Sequence, residues 1–596
     1  MNKKSKANGF ILITVLMMMV LIATIGVTLF IKSSSEAKQV GNSQNQAQAR
    51  AYAEAGQADM FFYIANPGLA VINSVIKPYS DAFANSNGNA ATTAIIPTSA
   101  YNSILTSLVP QFPDIVTASE GYTITSHIIF RTLRTDTGGF TKVGTSQVQP
   151  YFLDYSITGS ATQGTNGNKR TVITEGTVKI ILGRIPLNQY ILLANDGGSG
   201  TDGKQGFFDG TSSYDGPVHV NGNLALSGKP TFSLGLTVSS SSIWMNSSTT
   251  TTNGNCNGYT FTQVVGQQSS GCTVPNTNGQ GIQYNTDTIP LPTNAASQNR
   301  AALGLDSTNL AVVSKSEACV ALGLLSTCAS VPTGAYLPLQ NGKPSGGIYV
   351  QGDAKLTLST ASGKQIYTIV DANGKTTVIT IDYVAATTTV LSPTGTTSVY
   401  PGVINGQVYV TGNLTSLSGP PRTGTLPNPA PSTSVPTVVS PAIASKTQLN
   451  IAAGGSVTVN GDITYTDDPR AVNGAQNVLG IISGSQNVNI GTSAPNDVYI
   501  QAAILTGATG TGLGVVNYNG GTGSRGSIHL LGSLAEDTDQ LRGVLDNSGN
   551  PIRGYSDDLH FDQRFLNGGA VPPFFPATQR FGVQAGYPIQ RTWTEN

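Results

Sequence analysis

Residues 10–31 read FILITVLMMMVLIATIGVTLFI, 22 residues without a charge. As a helix rising about 1.5 Å per residue, this run spans the roughly 30 Å hydrocarbon core of a bilayer. The nine residues before it, MNKKSKANG, carry Lys3, Lys4 and Lys6 and no acid, a bias that holds this end in the cytoplasm. A secretory signal has a shorter apolar core with its small-residue cleavage site behind it. Here the small residue, Gly9, stands in front. Cleavage at Gly9–Phe10 therefore leaves the apolar helix on the mature chain.

From Ser33 to about Ile64 the chain has no proline and is rich in Ala and Gln. The helix is expected to continue out of the membrane over 10–65 and to stop near Pro67. Gly9, Phe10 and the apolar run resemble the class III signal of type IV pilins and type II secretion pseudopilins, and AYAEAG at 51–56 is similar to a patch in the minor pilins of that family. The resemblance implies a prepilin peptidase that cuts after Gly9 in the inner membrane and methylates Phe10. It also implies packing of the helix against those of other pilins. Major pilins carry a glutamate at the fifth mature position, which pairs with a neighbour's terminal amine; this chain has Thr14 there. A membrane carboxylate costs about 2.5–3.5 kcal/mol without a partner. Its loss suits a subunit with nothing above it, at the tip of a fibre.

Strand-like alternation follows at 121–133, 150–158 and 170–183, with turns rich in Gly, Asn and Thr between. A long helix and an antiparallel meander form the pilin architecture. The expected division is a leader (1–9), an assembly helix (10–65), a pilin-like globular module (66–184), a β-rich domain (185–540) and a C-terminal segment (541–596) that returns to the pilin sheet or ends beyond it. The fold class is thus an α+β pilin module with a large all-β domain appended or inserted.

In the β-rich part a local pattern recurs: GPVHVNGNL (216–224), GGIYVQGDA (346–354), GQVYVTGNL (406–414), GSVTVNGDI (455–463), GSIHLLGSL (526–534) and the degenerate NDVYIQAAI (496–504). Alternation puts the aliphatic residues on one strand face, and Gly-Asn or Gly-Asp suggests a tight corner with positive φ. Strand, corner, strand is one edge of a β-solenoid coil. The uneven spacing leaves a β-sandwich as the other arrangement. The G-P-V-H-x-N-G turn resembles a domain of large pilin-like proteins of the Deinococcus–Thermus lineage. Ser239–Asn278 and Gly419–Pro441 read as insertions or loops. The second, with seven prolines, should be an extended solvated strap.

Only 10% of residues are charged, 31 basic against 31 acidic, compared with roughly 25% charged in ordinary soluble domains. No global positive field draws in nucleic acid. Four cysteines allow three pairings; the local one, Cys256 with Cys272 and Cys319 with Cys328, is expected outside the cytoplasm. No C-x-x-C occurs, and His127, His219, His529 and His560 lack zinc spacing. No hydrolase motif is present, so no catalytic, metal or cofactor set is expected. Asp467/Asp468 and Asp557/Asp558 read as turn acids, with calcium binding or paired-acid chemistry the alternative. Arg131, Arg134, Lys142, Lys169 and Arg170, and later Arg542, Arg553, Arg564, Arg580 and Arg591, are the basic residues open to double-stranded DNA, with solvated turns as the plainer reading. DNA enters through resemblance to competence-associated tip pilins. The expected role is a tip minor pilin on the cell surface that captures DNA for transformation, or else a tip adhesin or assembly primer.

Overall fold

The computed structural model describes the chain except residues 1–7, 88–93, 137–140, 144–145, 165–166, 168, 198–206, 253–254, 259, 325–327, 522, 547–550, 569, 579–581, 586–587 and 596. One helix, Asn8–Tyr63, opens the fold. It is long and apolar enough to cross a membrane, and none of its most apolar window is buried. The helical path does not stop at Pro67. A π-turn, Ile64–Gly68, leads straight into a second helix, Leu69–Asn87. A π-turn interrupts the regular ladder, so it can absorb a proline that donates no N–H.

The second half of the long helix lies on an antiparallel sheet. Its strands run Ile115–Ser119, Tyr122–Arg134, Ser146–Gln163 and Lys169–Gly183 in spatial order. Tyr122–Arg134 alternates buried and exposed positions through most of its length, as a sheet with one covered face requires. The contact seam follows from small residues at helical spacing. Ala49 and Ala53 are fully buried, and a Cβ on Gly56 would sit 2.6 Å from Ile124. On the sheet side, the place of a Gly159 side chain is taken by the Ala53 carbonyl. Ser126 Oγ donates to Gly56 O at 2.5 Å, and Gln57 Nε2 to Thr174 Oγ1. Below the seam Met60, Ile64, Ile72 and Ile76 join Tyr151, Leu153 and Ile180 in an apolar core.

The last strands, Gly582–Ala585 and Ile589–Glu595, both pair with Lys169–Gly183. Everything from 184 to 581 is therefore inserted between neighbouring strands of this sheet. The two connections are stitched together: Leu187 N donates to Pro576 O at 3.0 Å, Thr578 N to Ile185 O at 2.8 Å, and Asn188 Nδ2 to Ala570 O at 3.0 Å.

The inserted body is built on two parallel ladders. In the first, Ile348–Gln351, Gln407–Val410, Gln448–Ala453, Val478–Ser483, Val498–Thr506 and Gly523–Thr538 pair in chain order. The far half of the last strand pairs with Leu192–Asp196, which pairs with Val218–Val220. The second ladder stacks Ala354–Ala361, Leu414–Ser418, Val457–Val459, Val488–Ile490 and Leu513–Val515. Each of its strands follows a first-ladder strand across a short corner.

The copy at 455–463 supplies its strand, Val457–Val459, to the second ladder. Two sequence readings change here, the corner geometry at some glycines and the loop at Ser239–Asn278. Gly352 has the positive φ expected of a corner, at 93°. Gly412 and Gly532 do not; there the stacked neighbours Asp353 and Ala502 occupy the place of a Cβ. Finally, Ser239–Asn278 is no loop, because Ser242–Asn246 pairs with Phe261–Val265 and buries Ile243 and Met245. The strap Gly419–Pro441 has neither helix nor strand. Cys256–Cys272 and Cys319–Cys328 are disulfide-bonded.

Candidate functional site

Two features stand apart from the packed core: the uncovered half of the long helix and an ionic cluster under the strap. Along the helix, apolar side chains from Ile13 to Ile31 are exposed, Phe30 to 75%. The hydroxyls among them turn back to their own helix: Thr24 Oγ1 donates to Val20 O at 2.9 Å and Thr28 Oγ1 to Thr24 O at 2.7 Å. Such back-bonding leaves a greasy outer surface. Thr14 is exposed on it. Gly9 and Phe10 fall in the first helical turn, where side chains lie outside the described residues.

Of the ten basic residues singled out in the sequence, six are ion-paired. Arg131 pairs with Glu175 at 2.9 Å, Arg134 with Asp154 at 3.2 Å, Arg170 with Glu595 at 4.0 Å and Arg591 with Asp154 at 3.9 Å. Burial works to raise the Asp154 carboxyl, but donors from Thr177, Thr132 and Arg134 hold it below its ordinary value. Arg564 is bidentate to Asp562 and also donates to the Ala475 and Asn477 carbonyls. Arg542 is buried between Asp557 and Asp539, at 2.7 Å from each. Arg553 donates to Asn519 O and Lys169 is exposed. The Lys142 side chain and Arg580 lie outside the described residues.

Asp467/Asp468 do sit at a turn, where Arg470 N donates to Asp468 Oδ1 at 2.9 Å, whereas Asp557/Asp558 lie on the strand Pro551–Phe561. Strand alternation sends Asp557 to Arg542 and Asp558 to the opposite face. Asp468 binds Arg470 at 2.7 Å and accepts from Gln501 at 3.1 Å, while the Asp467 carbonyl accepts from Asn477.

Asp558 is the centre of a cluster that parallel register assembles. Tyr499, His529 and Asp558 stand opposite one another on adjacent strands, and so do Gln501, Leu531 and His560. His529 Nδ1 contacts Asp558 Oδ2, and Tyr499 stacks on the His529 ring at 4.4 Å. His560 Nδ1 is 3.0 Å from Asp215 Oδ2, and its Nε2 is 3.3 Å from Asp558 Oδ1. From the strap, Ser432 Oγ reaches His560 Nε2 at 2.8 Å and Asp558 Oδ1 at 2.9 Å. A cavity of about 10 Å³, the size of one water, is lined by Ser432, Val435, Arg470, Tyr499, His529 and Leu531 among others.

Ser432, His560 and Asp215 follow the atom order of a hydrolase triad. The chemistry does not. Hydrogen bonds from His560 to Asp215 and then Asp558 push the imidazole up to about 9, so near neutrality it is a cation with no lone pair to take a serine proton. Burial raises Asp558, yet the donors His529, His560 and Ser432 outweigh it and hold it well below the carboxylate range. The cluster is a charged clasp. Among the described residues no group of three or more His, Cys, Asp or Glu side chains has metal-holding geometry. His219, in the strand Val218–Val220, is the opposite case. Burial lowers it to about 4, and Thr237 and Asn221 hold its two nitrogens.

A family model described only as a domain of unknown function, DUF4900, matches residues 150–256. The match crosses from the last long strands of the antiparallel sheet into the body and takes in the GPVHVNG segment at 216–222. No curated protein matches the chain, and no solved structure does.

Proposed function

We propose that this chain is a minor subunit of a type IV pilus-class fibre, placed at the tip, with the strand-rich body as its displayed head. The supporting observation is the division of one helix: its apolar half is uncovered, while its small-residue half is seated on an antiparallel sheet. A free apolar half suits a bilayer before assembly and neighbouring helices afterwards. The insertion between Gly183 and Gly582 makes the head many times larger than the sheet that carries it, which favours the end of a fibre over its shaft. Paired parallel ladders with short corners support reading the head as β-solenoid-like.

For the ligand, the ion pairing of Arg131, Arg134, Arg170, Arg542 and Arg564 favours an adhesive or assembly-priming tip over DNA capture, because duplex DNA binding draws on unpaired cations that release counterions. Two measurements test the proposal. Sheared fibres labelled for this chain should carry label at their ends, with the N-terminal peptide beginning at Phe10; label in the envelope alone defeats the tip role. Full-length protein in detergent, titrated with duplex DNA across a salt series, should show no salt-sensitive micromolar complex. A steep salt slope restores the DNA reading.

A further inference from the structure

We propose that the proline-rich strap Gly419–Pro441 is a pH-released cover, fastened at Ser432 over the Tyr499–His529–Asp558 and Gln501–Leu531–His560 rows. Among the described residues, no backbone–backbone hydrogen bond ties 424–435 to the body. This stretch hangs on side chains. Tyr499 Oη donates to Pro431 O at 2.8 Å, Arg470 Nη1 to Ser432 O at 3.2 Å, and Ser432 Oγ sits in the clasp. Arg422 anchors the near end through Asp462 and the Asn496 and Asp497 carbonyls. Pro436 and Val439 bury the far end.

The clasp counts its protons. Ser432 Oγ, His560 Nε2 and Asp558 Oδ1 form a triangle with edges of 2.8, 2.9 and 3.3 Å. With His560 charged, two hydrogens, Nε2–H and Oγ–H, serve three polar atoms. Loss of the Nε2 proton leaves one hydrogen among three acceptors, and a lone pair then faces the Asp558 carboxylate. The charged groups around the ring are Asp215 from the 214–217 segment, Asp558 on its own strand, His529 on the neighbouring strand, Arg470 and Asp468 from the loop over the cavity, Asp497 beside Tyr499, and Arg422 on the strap. Asp215 and Asp558 dominate, and they keep the proton on until about pH 9. Acid does not open the clasp, since Asp558 stays ionised far below neutrality. Opening therefore belongs to the alkaline side.

Leu531 is 4% exposed and lines the covered cavity, and among the described residues no cysteine is free. The full-length Leu531→Cys chain in detergent thus carries one reporter thiol. Its maleimide labelling rate, divided by that of a model thiol at each pH, should rise at least tenfold between pH 7.5 and 10. Ser432→Ala in the same background should label fast already at pH 7.5 with an unchanged Trp244 emission, which guards against unfolding. His560→Gln should flatten the pH profile. A corrected rate that stays flat to pH 10, or a Ser432→Ala chain that labels as slowly as its parent, overturns the proposal.

Discussion

The antiparallel sheet and the inserted body bury their strands in opposite ways. Tyr122–Arg134 hides one face and shows the other. Val498–Thr506 is buried at all nine positions. One face of the first sheet is covered by the helix and the other is wet, so charges there sit in solvent and ion pairs are weak. A strand between two parallel neighbours, covered on both faces, has no wet side. A charge inside the body that loses its partner carries a large energetic stake. The same residue type should therefore have different worth in the two regions. The two tryptophans separate the readouts, for Trp244 lies in the body and Trp593 on the strand beside the helix.

The largest contrast is between arginines. Arg542→Ala leaves Asp539, Asp557 and the buried Glu536 without their cation; burial and then Asp539 already push the Glu536 carboxyl well up. The expected loss is about 3–5 kcal/mol, read as a lower urea midpoint of Trp244 fluorescence. A loss under about 1 kcal/mol would erase the distinction. Histidines give the next contrast, within the body itself. His219 is lowered from 6.5 to about 4 by burial. A depressed value means the folded state resists charging, so its stability is whole above pH 6.5 and falls as pH drops towards 4. The effect is on the order of 3 kcal/mol. His560, raised to about 9, contributes stability that is whole below pH 6.5 and is lost as pH climbs through 9. Urea midpoints of Trp244 at pH 4.5 and 7 should converge in His219→Gln relative to the parent.

What was legible in the chain divides along the same line. Alternation marked the strands of the first sheet because one of their faces is wet. It missed Ile115–Ser119, a short edge with little burial. In the body, Gly-bounded repeats marked first-ladder strands such as 407–410, whereas Gln448–Ala453 and Val478–Ser483 end at a glycine but lack one in front, and nothing in the 455–463 copy tells that its strand stacks in the second ladder. The return of Ile589–Glu595 to Lys169–Gly183 has no local signal, since pairing across four hundred residues leaves no trace in any window. The clasp was half visible. Asp557 and Asp558 stood out as neighbours, and a period of two sends them to opposite faces. Asp215 and Ser432 reach His560 from 345 and 128 positions away, a distance over which no motif forms.

Smaller effects probe the seam between helix and sheet, where backbone proximity replaces side-chain volume. Gly159→Val places methyl groups where the Ala53 carbonyl lies, and should cost about 1–3 kcal/mol. The loss should show in Trp593, which lies under Arg50 at 5.2 Å, while Trp244 keeps its midpoint. Equal shifts at both tryptophans would mean that sheet and body unfold as one cooperative unit. The smallest effect is Arg131→Ala. Arg131 and Glu175 keep 53% and 45% of their side-chain surface in solvent, and water screens such a pair to about 0–1 kcal/mol. Its Trp593 midpoint should move little at low salt and not at all at high salt. A loss approaching that of Arg542→Ala would show that the wet face of this sheet is covered by something other than water.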